Sequence, residues 1–266
     1  MNDFNVFIDD LPLWSAPFGL KLLDTLIFKK NINVLDIGCG EGFPLIEIAA
    51  RFGGTSRFFG LEPLASPLER LVFKKQAYHL PTVHPVQGLA ETLPFDDQCF
   101  HLIVSNNGVN NVRDLNQTLT ECQRVIKPRG QMVIAMNTRH TMKEFYALFE
   151  TILVKESLGT AVEKMKDQIR QKRLPRKELV VLLNAAGFRI HQILDDAFTL
   201  KFTDGTTLFN HYLIRHFFLN GWKQLVDSNK INTVFDQIET RLNNRATKKG
   251  HIRLTIPYRI IDCRAK

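Results

Sequence analysis

Apolar runs alternate with amphipathic stretches along most of this chain. Three apolar runs in the first half, residues 33–36, 57–62 and 100–106, each end in a polar side chain and predict buried strands. Residues 119–136 predict a helix, a turn at 127–130 and a further strand. Strands that alternate with helices favour an α/β domain with a largely parallel sheet.

The second half continues this alternation and can complete the sheet. Residues 177–186 predict an amphipathic helix ended by Gly187, and residues 188–194 predict the strand that follows it. Residues 252–261 predict a last strand. Two helices rich in aromatic residues are expected before it, over residues 207–225 and 232–242.

The most informative segment follows the first predicted strand. Asp36 lies near the end of that strand, and Gly38, Gly40 and Gly42 form a turn ahead of a helix that starts near Pro44. Glycines accept positive φ angles and let a ligand approach the backbone closely, and a helix N-terminus offers N–H groups without intrahelical partners. This combination predicts a nucleotide-cofactor site.

The spacing and charge of the turn argue against a dinucleotide. A dinucleotide fingerprint is Gly-x-Gly-x-x-Gly, and it presents backbone amides to an anionic pyrophosphate. Here the third glycine, Gly42, comes one position early, and Asp36 would repel a pyrophosphate. A carboxylate at this position suits a cationic ligand.

The run Asp36-x-Gly38-x-Gly40-x-Gly42 resembles the Asp-x-Gly-x-Gly-x-Gly motif of the class I methyltransferases. Their cofactor, S-adenosylmethionine, carries an ammonium and a sulfonium. The resemblance implies that Asp36 lies near the methionine moiety, and that the three glycines, with Cys39 among them, admit the cofactor.

The second predicted strand ends in Glu62, about twenty residues after the glycine turn. A carboxylate there can accept hydrogen bonds from both ribose hydroxyls, and Pro63 would lie beside it. An acid at a strand end is also often a solvated loop residue, so the ribose role depends on the glycine turn that precedes it.

Residues 88–95 (GLAETLPF) resemble the Gly-Asp-Ala-Glu-x-Leu-Pro-Phe element of the ubiquinone and menaquinone biosynthesis group, the methyltransferase 11 domain. In that group the acid before the alanine bonds the adenine amino group. This chain has Leu89 at that position, so the resemblance implies that Ala90 and Glu91 border the adenine. Matching elements cover about residues 35–137.

The resemblance implies an α/β fold with a doubly wound, Rossmann-like, seven-stranded and mostly parallel sheet. The predicted domain organisation is an N-terminal helical or lid segment over 1–30, a cofactor-binding core over 31–137, and the remaining core strands within 138–266. Helical insertions at about 138–174 and 205–245 would form a roof over the substrate.

Composition fits a globular enzyme. The chain has 266 residues, of which 44% are apolar, enough for one large α/β domain or a domain with an insertion. No apolar run approaches the roughly 18 residues that a membrane span needs, and no signal-peptide pattern is present, so a cytoplasmic location is expected. The four cysteines show neither Cys-x-x-Cys nor metal-ligand spacing, so free thiols and no metal site are expected.

Charge is divided unevenly between the halves. Residues 1–137 hold 12 Lys and Arg against 14 Asp and Glu, a net −2, whereas residues 138–266 hold 23 against 13, a net +10. The densest basic patches are residues 164–177 and 245–249. Such runs are usually solvated helix faces, and the alternative is an anionic partner such as an acidic substrate, a phospholipid surface or nucleic acid.

Candidates for the chemistry lie at the end of the fourth strand and on the predicted roof. Methyl transfer from a sulfonium is an in-line displacement that needs mainly alignment and exclusion of water. Asn106, Asn107 and Asn110 are candidates for substrate or methionine contact, although Asn and Gly runs also form plain turns. His211 and His216 are candidates for a general base where the acceptor must lose a proton.

The N-terminal segment holds two aromatic residues among prolines. Trp14 and Phe18 are predicted to act as a lid over the cofactor or substrate. The alternative is that both rings cap the core.

The sequence therefore predicts a methyltransferase that converts S-adenosylmethionine to S-adenosylhomocysteine and acts on a small-molecule or lipid-like acceptor, with peripheral membrane contact compatible with its charge. Two alternatives stay open: an RNA or protein methyltransferase that docks through the basic half, and a non-catalytic cofactor-binding protein. An amino group of a DNA base is disfavoured as the target, because no Asn- or Asp-Pro-Pro-aromatic turn follows the fourth strand.

Overall fold

The computed structural model describes residues 14–266, and within this range seven strands form one sheet. The strands are β1 (Asn33–Ile37), β2 (Arg57–Glu62), β3 (Val83–Gln87), β4 (Phe100–Asn106), β5 (Ile126–Asn137), β6 (Phe188–Phe202) and β7 (Ile252–Ala265). Their order is β3-β2-β1-β4-β5-β7-β6. The β1–β2, β1–β4, β2–β3 and β4–β5 pairs are parallel, whereas β7 runs antiparallel to β5. The prediction of a seven-stranded, mostly parallel sheet is confirmed.

Helices connect the strands. They are α1 (Ala16–Thr25), α2 (Leu45–Phe52), α3 (Ala65–Ala77), α4 (Leu115–Val125), α5 (Lys143–Lys155), α6 (Gly159–Lys172), α7 (Arg176–Ala185), α8 (Gly205–Asn210), α9 (Tyr212–Ile214), α10 (Asn220–Lys223) and α11 (Ile231–Lys249). A 3-10 turn covers Val109–Asn111, and a π-helical segment covers Arg215–Leu219. Across residues 14–266 no helix is long and apolar enough to cross a membrane.

The strand order reverses between β1 and β4, and this reversal indicates where on the sheet a ligand is expected to bind. Val34, Leu35 and Ile37 of β1 are almost fully buried, as expected for a parallel strand covered on both faces. In open α/β sheets, ligands bind at the carboxyl ends of the strands where the order reverses. The fold therefore directs attention to the residues that follow β1 and β4.

The described chain divides into two compact units. Unit 1 comprises residues 14–137, 175–196 and 258–266, and unit 2 comprises residues 138–174 and 197–257. Unit 1 has a largely aliphatic core in which Leu35, Ile103 and Leu119 are buried. Unit 2 has a core rich in aromatic rings, including Phe145, Phe149 and Trp222.

Two local predictions differ from the structure. The turn predicted at 127–130 is part of β5, where a register shift sets Ile126 opposite Phe100 and Gln131 opposite Leu102. The extra residues bulge out of the ladder, and Arg129 takes a φ of 64° within the bulge.

The single helix predicted over 207–225 is wrong. Helix α8 ends before His211, whose ψ of 131° is extended, and the chain then continues through α9, the π-helical segment and α10. The ring of His211 packs edge-on against Phe202 with centroids 5.2 Å apart. The strand predicted at 188–194 is also longer, because β6 continues to Phe202.

Candidate cofactor-binding site

Asp36 occupies the centre of the sheet near the end of β1. It lies opposite Gly60 of β2 and Val104 of β4, and its side chain is fully buried. Neither carboxylate oxygen has a hydrogen-bond partner among residues 14–266. A buried polar group without a hydrogen-bond partner is energetically costly. This carboxyl group is therefore a candidate for contact with a bound ligand.

The environment of Asp36 holds its carboxyl group in the neutral form. Burial, and then the negative charge of Glu62, raise the pKa of Asp36 to about 8. A cation beside the two carboxylates would reverse this effect, because an opposite charge favours ionisation. The electrostatics therefore select for a positively charged ligand.

The glycine turn after β1 adopts the backbone conformation that the sequence predicts. Gly38, Gly40 and Gly42 have φ angles of 72°, 53° and 113°. The amide N–H groups of Gly38 and Cys39 both donate to the carbonyl oxygen of Leu61, at 2.9 and 3.1 Å. These bonds fix the turn against the end of β2.

Gly38 and the loop after β4 approach each other closely. A Cβ atom on Gly38 would lie 2.8 Å from the Cα atom of Gly108, whereas a Cβ atom on Gly40 would meet no atom within 4 Å. Ser105 joins the same two strand ends, because its hydroxyl donates to the Ile37 carbonyl at 2.8 Å. Gly38 is thus needed for packing, and Gly40 borders open space.

Glu62 ends β2 and contacts the glycine turn. Its Oε2 atom accepts a hydrogen bond from the amide of Gly40 at 3.3 Å, and its Oε1 atom accepts one from the amide of Leu64 at 3.2 Å. Beside it, the carbonyl of Pro63 accepts a hydrogen bond from Gln87 at 3.1 Å. A carboxylate oxygen has more than one acceptor site, so Glu62 keeps the capacity to bind hydroxyl groups.

Cys39 is buried within the turn and is a poor nucleophile. Burial first, and then the negative charges of Asp36 and Glu62, raise the pKa of its thiol above the usual range. The thiol therefore stays protonated. Its sulfur would lie 2.7 Å from a Cβ atom at Gly60, so the side chain fills space against β2.

The segment predicted to border the adenine divides into an exposed and a buried part. Leu89 is 46% exposed, whereas Ala90 is buried. The Oε1 atom of Glu91 accepts hydrogen bonds from the amides of Arg113 and Asp114, at 2.7 and 3.2 Å. The Glu91 carboxylate thus holds the backbone just before α4, and its adenine role stays a prediction.

Three asparagines contact one another at the carboxyl ends of β4 and β5, and a fourth, Asn106, ends β4. The side-chain amide nitrogen of Asn110 donates to the side-chain Oδ1 atoms of Asn107 and Asn137. Asn106 donates to the carbonyl of Ser15 at 3.1 Å, while its own Oδ1 atom is buried without a hydrogen-bond partner among the described residues. Sequence reasoning missed Asn137; the available signal was its position at the end of a strand that neighbours β4.

The N-terminal segment packs on this end of unit 1. Phe18 is fully buried, and its ring contacts Trp14 and Tyr258 edge-on, with centroids 5.6 and 5.1 Å apart. A Cβ atom on Gly19 would lie 2.3 Å from the ring of Phe43, so α1 lies directly on the residue after the glycine turn. The ring of Phe18 is therefore part of the core, and the lid prediction concerns the partly exposed Trp14.

The predicted histidine bases both lie in unit 2. Burial lowers the pKa of His211, and its Nδ1 atom is buried without a hydrogen-bond partner among the described residues. His216 is exposed on the π-helical segment. The structure does not pair the two rings with each other, and their role as bases stays a prediction.

The residues of this end of the sheet fit S-adenosylmethionine. The buried carboxyl group of Asp36 suits a cation, the open space beside Gly40 admits a ligand close to the backbone, and Glu62 offers acceptor oxygens next to it. Among residues 14–266, no group of three or more His, Cys, Asp or Glu side chains is arranged to hold a metal ion.

Comparison with known proteins gives the same assignment. The profile of a family described as a methyltransferase domain matches residues 28–197, more than half of the chain. A demethylmenaquinone methyltransferase of Staphylococcus aureus (strain MRSA252) is 32% identical over 132 residues, covering 48% of this chain and 54% of that protein. One from Chlorobaculum tepidum is 30% identical over 146 residues, covering 53% and 57%. The chain thus spans about half the length of these curated relatives.

Solved structures share the fold at low sequence identity. A putative methyltransferase from Bacillus halodurans superposes with a TM-score of 0.61 at 18% identity, covering 92% of this chain and 97% of that one. A geranyl diphosphate C-methyltransferase from Streptomyces coelicolor has a TM-score of 0.58 at 16% identity, covering 97% and 82%. Together with the profile match and the motif at Asp36, these findings show that the chain belongs to the class I S-adenosylmethionine-dependent methyltransferase family.

Proposed function

We propose that this protein transfers a methyl group from S-adenosylmethionine to a small-molecule or lipid-like acceptor. The observation that carries the proposal is the fully buried carboxyl group of Asp36, without a hydrogen-bond partner among the described residues, next to a turn of three positive-φ glycines. A structural carboxylate in this position would have main-chain or side-chain donors around it. A ligand cation accounts for its absence of partners.

Each residue of the site has a distinct part in binding. Asp36 attracts the positively charged methionine end, Gly40 lets the ligand approach the backbone, and Glu62 accepts hydrogen bonds from the ribose hydroxyls. Ala90 borders the adenine. When bound, S-adenosylmethionine supplies an electrophilic methyl group on a sulfonium, so the protein's task is to align the acceptor and exclude water.

The names of relatives and the composition of unit 2 support the proposed acceptor class. Two relatives are named as methyltransferases of demethylmenaquinone, and a structural neighbour as a methyltransferase of geranyl diphosphate, both small molecules with apolar parts. The helical segments 138–174 and 205–245 are rich in aromatic side chains and are proposed to enclose such an acceptor. Asn106 and Asn107 are the proposed contacts for the reacting groups.

A nucleic-acid acceptor is the second candidate, and a specific surface favours it. Helix α11 presents an open groove of about 440 Å³ whose charged lining is wholly basic: Arg241, Arg245, Lys248 and Lys249. Basic side chains along a groove attract a polyanion, and the binding they provide weakens as salt rises. If RNA is the acceptor, its binding should fall steeply with salt and should be lost when these four residues are changed to glutamine.

The test is a methyl-transfer assay with acceptor identification. The full-length protein is incubated with methyl-labelled S-adenosylmethionine and an extract of its host, and the products are separated into lipid, metabolite, nucleic-acid and protein fractions. The Glu62→Ala variant serves as the control for cofactor dependence. Label in the lipid or metabolite fraction supports the proposal, while label that nuclease or protease removes replaces it with the alternative.

Cofactor binding is tested separately from turnover. S-adenosylmethionine should raise the unfolding temperature of the wild-type protein at millimolar concentration. Stabilisation without label in any fraction would support a non-catalytic cofactor-binding protein, for which the Leu89 departure from the family motif is a sequence hint. An absence of stabilisation would overturn the proposed cofactor site.

A further inference from the structure

Arg173 follows helix α6 in unit 2 and is 7% exposed. Its Nη1 atom is buried without a hydrogen-bond partner among residues 14–266, and no carboxylate of that range forms an ion pair with it. A guanidinium keeps its charge at every ordinary pH, so loss of a proton cannot reduce the energetic cost of burying it. A buried N–H group without an acceptor is costly, and an anionic ligand at this position would supply one.

Tyr146 supplies a second donor near the same position. The Cζ atom of Arg173 lies 5.8 Å from the centre of the Tyr146 ring. The indole N–H of Trp222 donates to the Tyr146 hydroxyl oxygen at 3.1 Å. The hydroxyl thus accepts one hydrogen bond, and its own hydrogen finds no acceptor among the described residues, although the side chain is buried. Two donors that lack acceptors therefore lie in one part of unit 2.

Aromatic rings surround these donors. Phe145 stacks on Trp222 with ring centres 3.9 Å apart, and Phe218 packs on Trp222 at 5.7 Å. Phe218 belongs to the π-helical segment Arg215–Leu219, and π-helical turns are frequent at functional sites. The surroundings are apolar, which strengthens a charge-assisted hydrogen bond and favours a ligand with an apolar body.

We propose that Arg173 and Tyr146 bind the oxyanion of a small molecule whose body is apolar, and that this molecule is the methyl acceptor. The anion site follows from unit 2 alone, whereas its identification with the acceptor rests on the proposed function. A guanidinium and a hydroxyl can bind two oxygens of one carboxylate or phosphate. The acceptor is accordingly an acid, with its charge at Arg173.

Binding can be followed at Trp222, which contacts the Tyr146 hydroxyl. The chain has two tryptophans, so a Trp14→Phe background leaves Trp222 as the sole indole reporter. The probes are benzoate and phenyl phosphate, with benzamide as the neutral analogue of benzoate. We expect a saturable change in Trp222 fluorescence with at least one anion, and binding of benzamide weaker than that of benzoate by about tenfold or more. The tighter anion identifies the group as carboxylate or phosphate.

Two substitutions in the same stretch of chain separate a binding role from a general effect of charge. Arg173→Met removes the buried guanidinium, and Arg170→Gln removes an exposed one from α6. We expect Arg173→Met to weaken anion binding about tenfold or more and Arg170→Gln to leave it unchanged. Equal binding in the Arg173→Met protein, equal binding of benzamide and benzoate, or no saturable change with either anion would overturn the site.

Stability distinguishes a binding residue from a structural one. Without ligand, Arg173→Met should unfold at the same or a higher temperature than its parent, because an apolar side chain replaces a guanidinium whose buried Nη1 atom has no acceptor. A lower unfolding temperature that Arg173→Lys restores would assign Arg173 to the architecture instead. The same variants are titrated with S-adenosylmethionine: retained cofactor affinity in all of them keeps the proposed function even where the anion site fails.

Discussion

The carboxylate of Glu62 accepts a hydrogen bond from the amide of Gly40, at an Oε2–N distance of 3.3 Å. This contact joins the acid at the end of β2 to the middle of the glycine turn after β1, across 22 positions of sequence. One side chain therefore has two tasks, since it orders the turn and presents the oxygens that are proposed to hold the ribose. Substitutions at Glu62 must separate these tasks.

Glu62→Ala should raise the dissociation constant for S-adenosylmethionine at least tenfold, about 1.4 kcal/mol or more, because it removes the charged acceptor of the Gly40 amide and of the proposed ribose contact. Glu62→Gln keeps an oxygen for the Gly40 amide but loses the charge, so its affinity for S-adenosylmethionine should fall between those of the wild type and Glu62→Ala. Isothermal titration of the three proteins gives the order. Equal affinity of the alanine variant and the wild type would refute the ribose role.

Binding of the cofactor should release a proton from Asp36. Burial and the charge of Glu62 raise the pKa of Asp36 to about 8, so at pH 7 most molecules hold a proton that a cationic ligand displaces. Calorimetry at pH 7 in two buffers of different ionisation enthalpy measures this release. Because the cofactor's own amino group titrates in the same range, Asp36→Asn is the necessary control. Equal proton release in both proteins would show that Asp36 does not ionise on binding.

The same carboxyl group should lower the stability of the ligand-free protein as pH rises. The unfolded chain loses the Asp36 proton near pH 4 and the folded chain near pH 8. The folded chain therefore binds this proton more tightly, and the stability that this gives is fully present below about pH 4 and is lost by about pH 8. Asp36→Asn removes this loss and should unfold at a temperature about 3 °C or more above the wild type at pH 8, with a smaller difference at pH 5. Differential scanning calorimetry at the two pH values checks the sign.

Much of the geometry of this candidate site could be predicted because its signals are local. Asp36, the glycines and Glu62 each stand where a buried run ends, and the end of a parallel strand places a side chain at the binding edge whatever the rest of the chain does. The positive φ angles at Gly38, Gly40 and Gly42 follow from composition for the same reason. Local rules were sufficient where the backbone alone decides the outcome.

Residues whose role depends on distant partners could not be predicted in this way. The carboxylate of Glu91 holds the amides of Arg113 and Asp114, more than 20 positions away, and the sequence did not predict these contacts; its adenine role stays a prediction. The helix break at His211 has no proline or glycine beside it that would predict it. At this break the His211 ring packs on Phe202. Tertiary contacts, which a single sequence does not show, decided both cases.

Gly38→Ala and Gly40→Ala form a matched pair of substitutions in one turn. A Cβ atom on Gly38 would meet the Gly108 backbone at 2.8 Å, whereas one on Gly40 meets nothing within 4 Å. We expect Gly38→Ala to lower the unfolding temperature markedly, and Gly40→Ala to keep the fold but weaken cofactor binding, since the methyl group enters the space proposed for the ligand. Thermal unfolding and cofactor titration of both proteins test this. Normal cofactor affinity of Gly40→Ala would place the ligand elsewhere.

Leu89→Asp should restore the family's adenine contact. Leu89 occupies the position where the methyltransferase 11 group carries an acid. The side chain is 46% exposed, so the charge of an aspartate at this position would not be buried. The substitution should increase the preference for S-adenosylmethionine over its inosine analogue, in which the amino group of the base is replaced, by several-fold. Competition binding measures the ratio. An unchanged ratio would show that the base does not contact this segment.

Trp14→Ala tests whether the N-terminal aromatic segment covers the cofactor. Trp14 is partly exposed and touches the buried ring of Phe18, while the neighbouring Ser15 carbonyl accepts a hydrogen bond from Asn106 at the end of β4. A lid residue contributes to ligand binding more than to folding, so the variant should lose cofactor affinity at a nearly unchanged unfolding temperature. Phe18→Ala is the contrast, because removal of a fully buried ring costs roughly 3–5 kcal/mol and should unfold the protein at a lower temperature. Equal losses of stability in both variants, with cofactor affinity unchanged in Trp14→Ala, would assign Trp14 to the core as well.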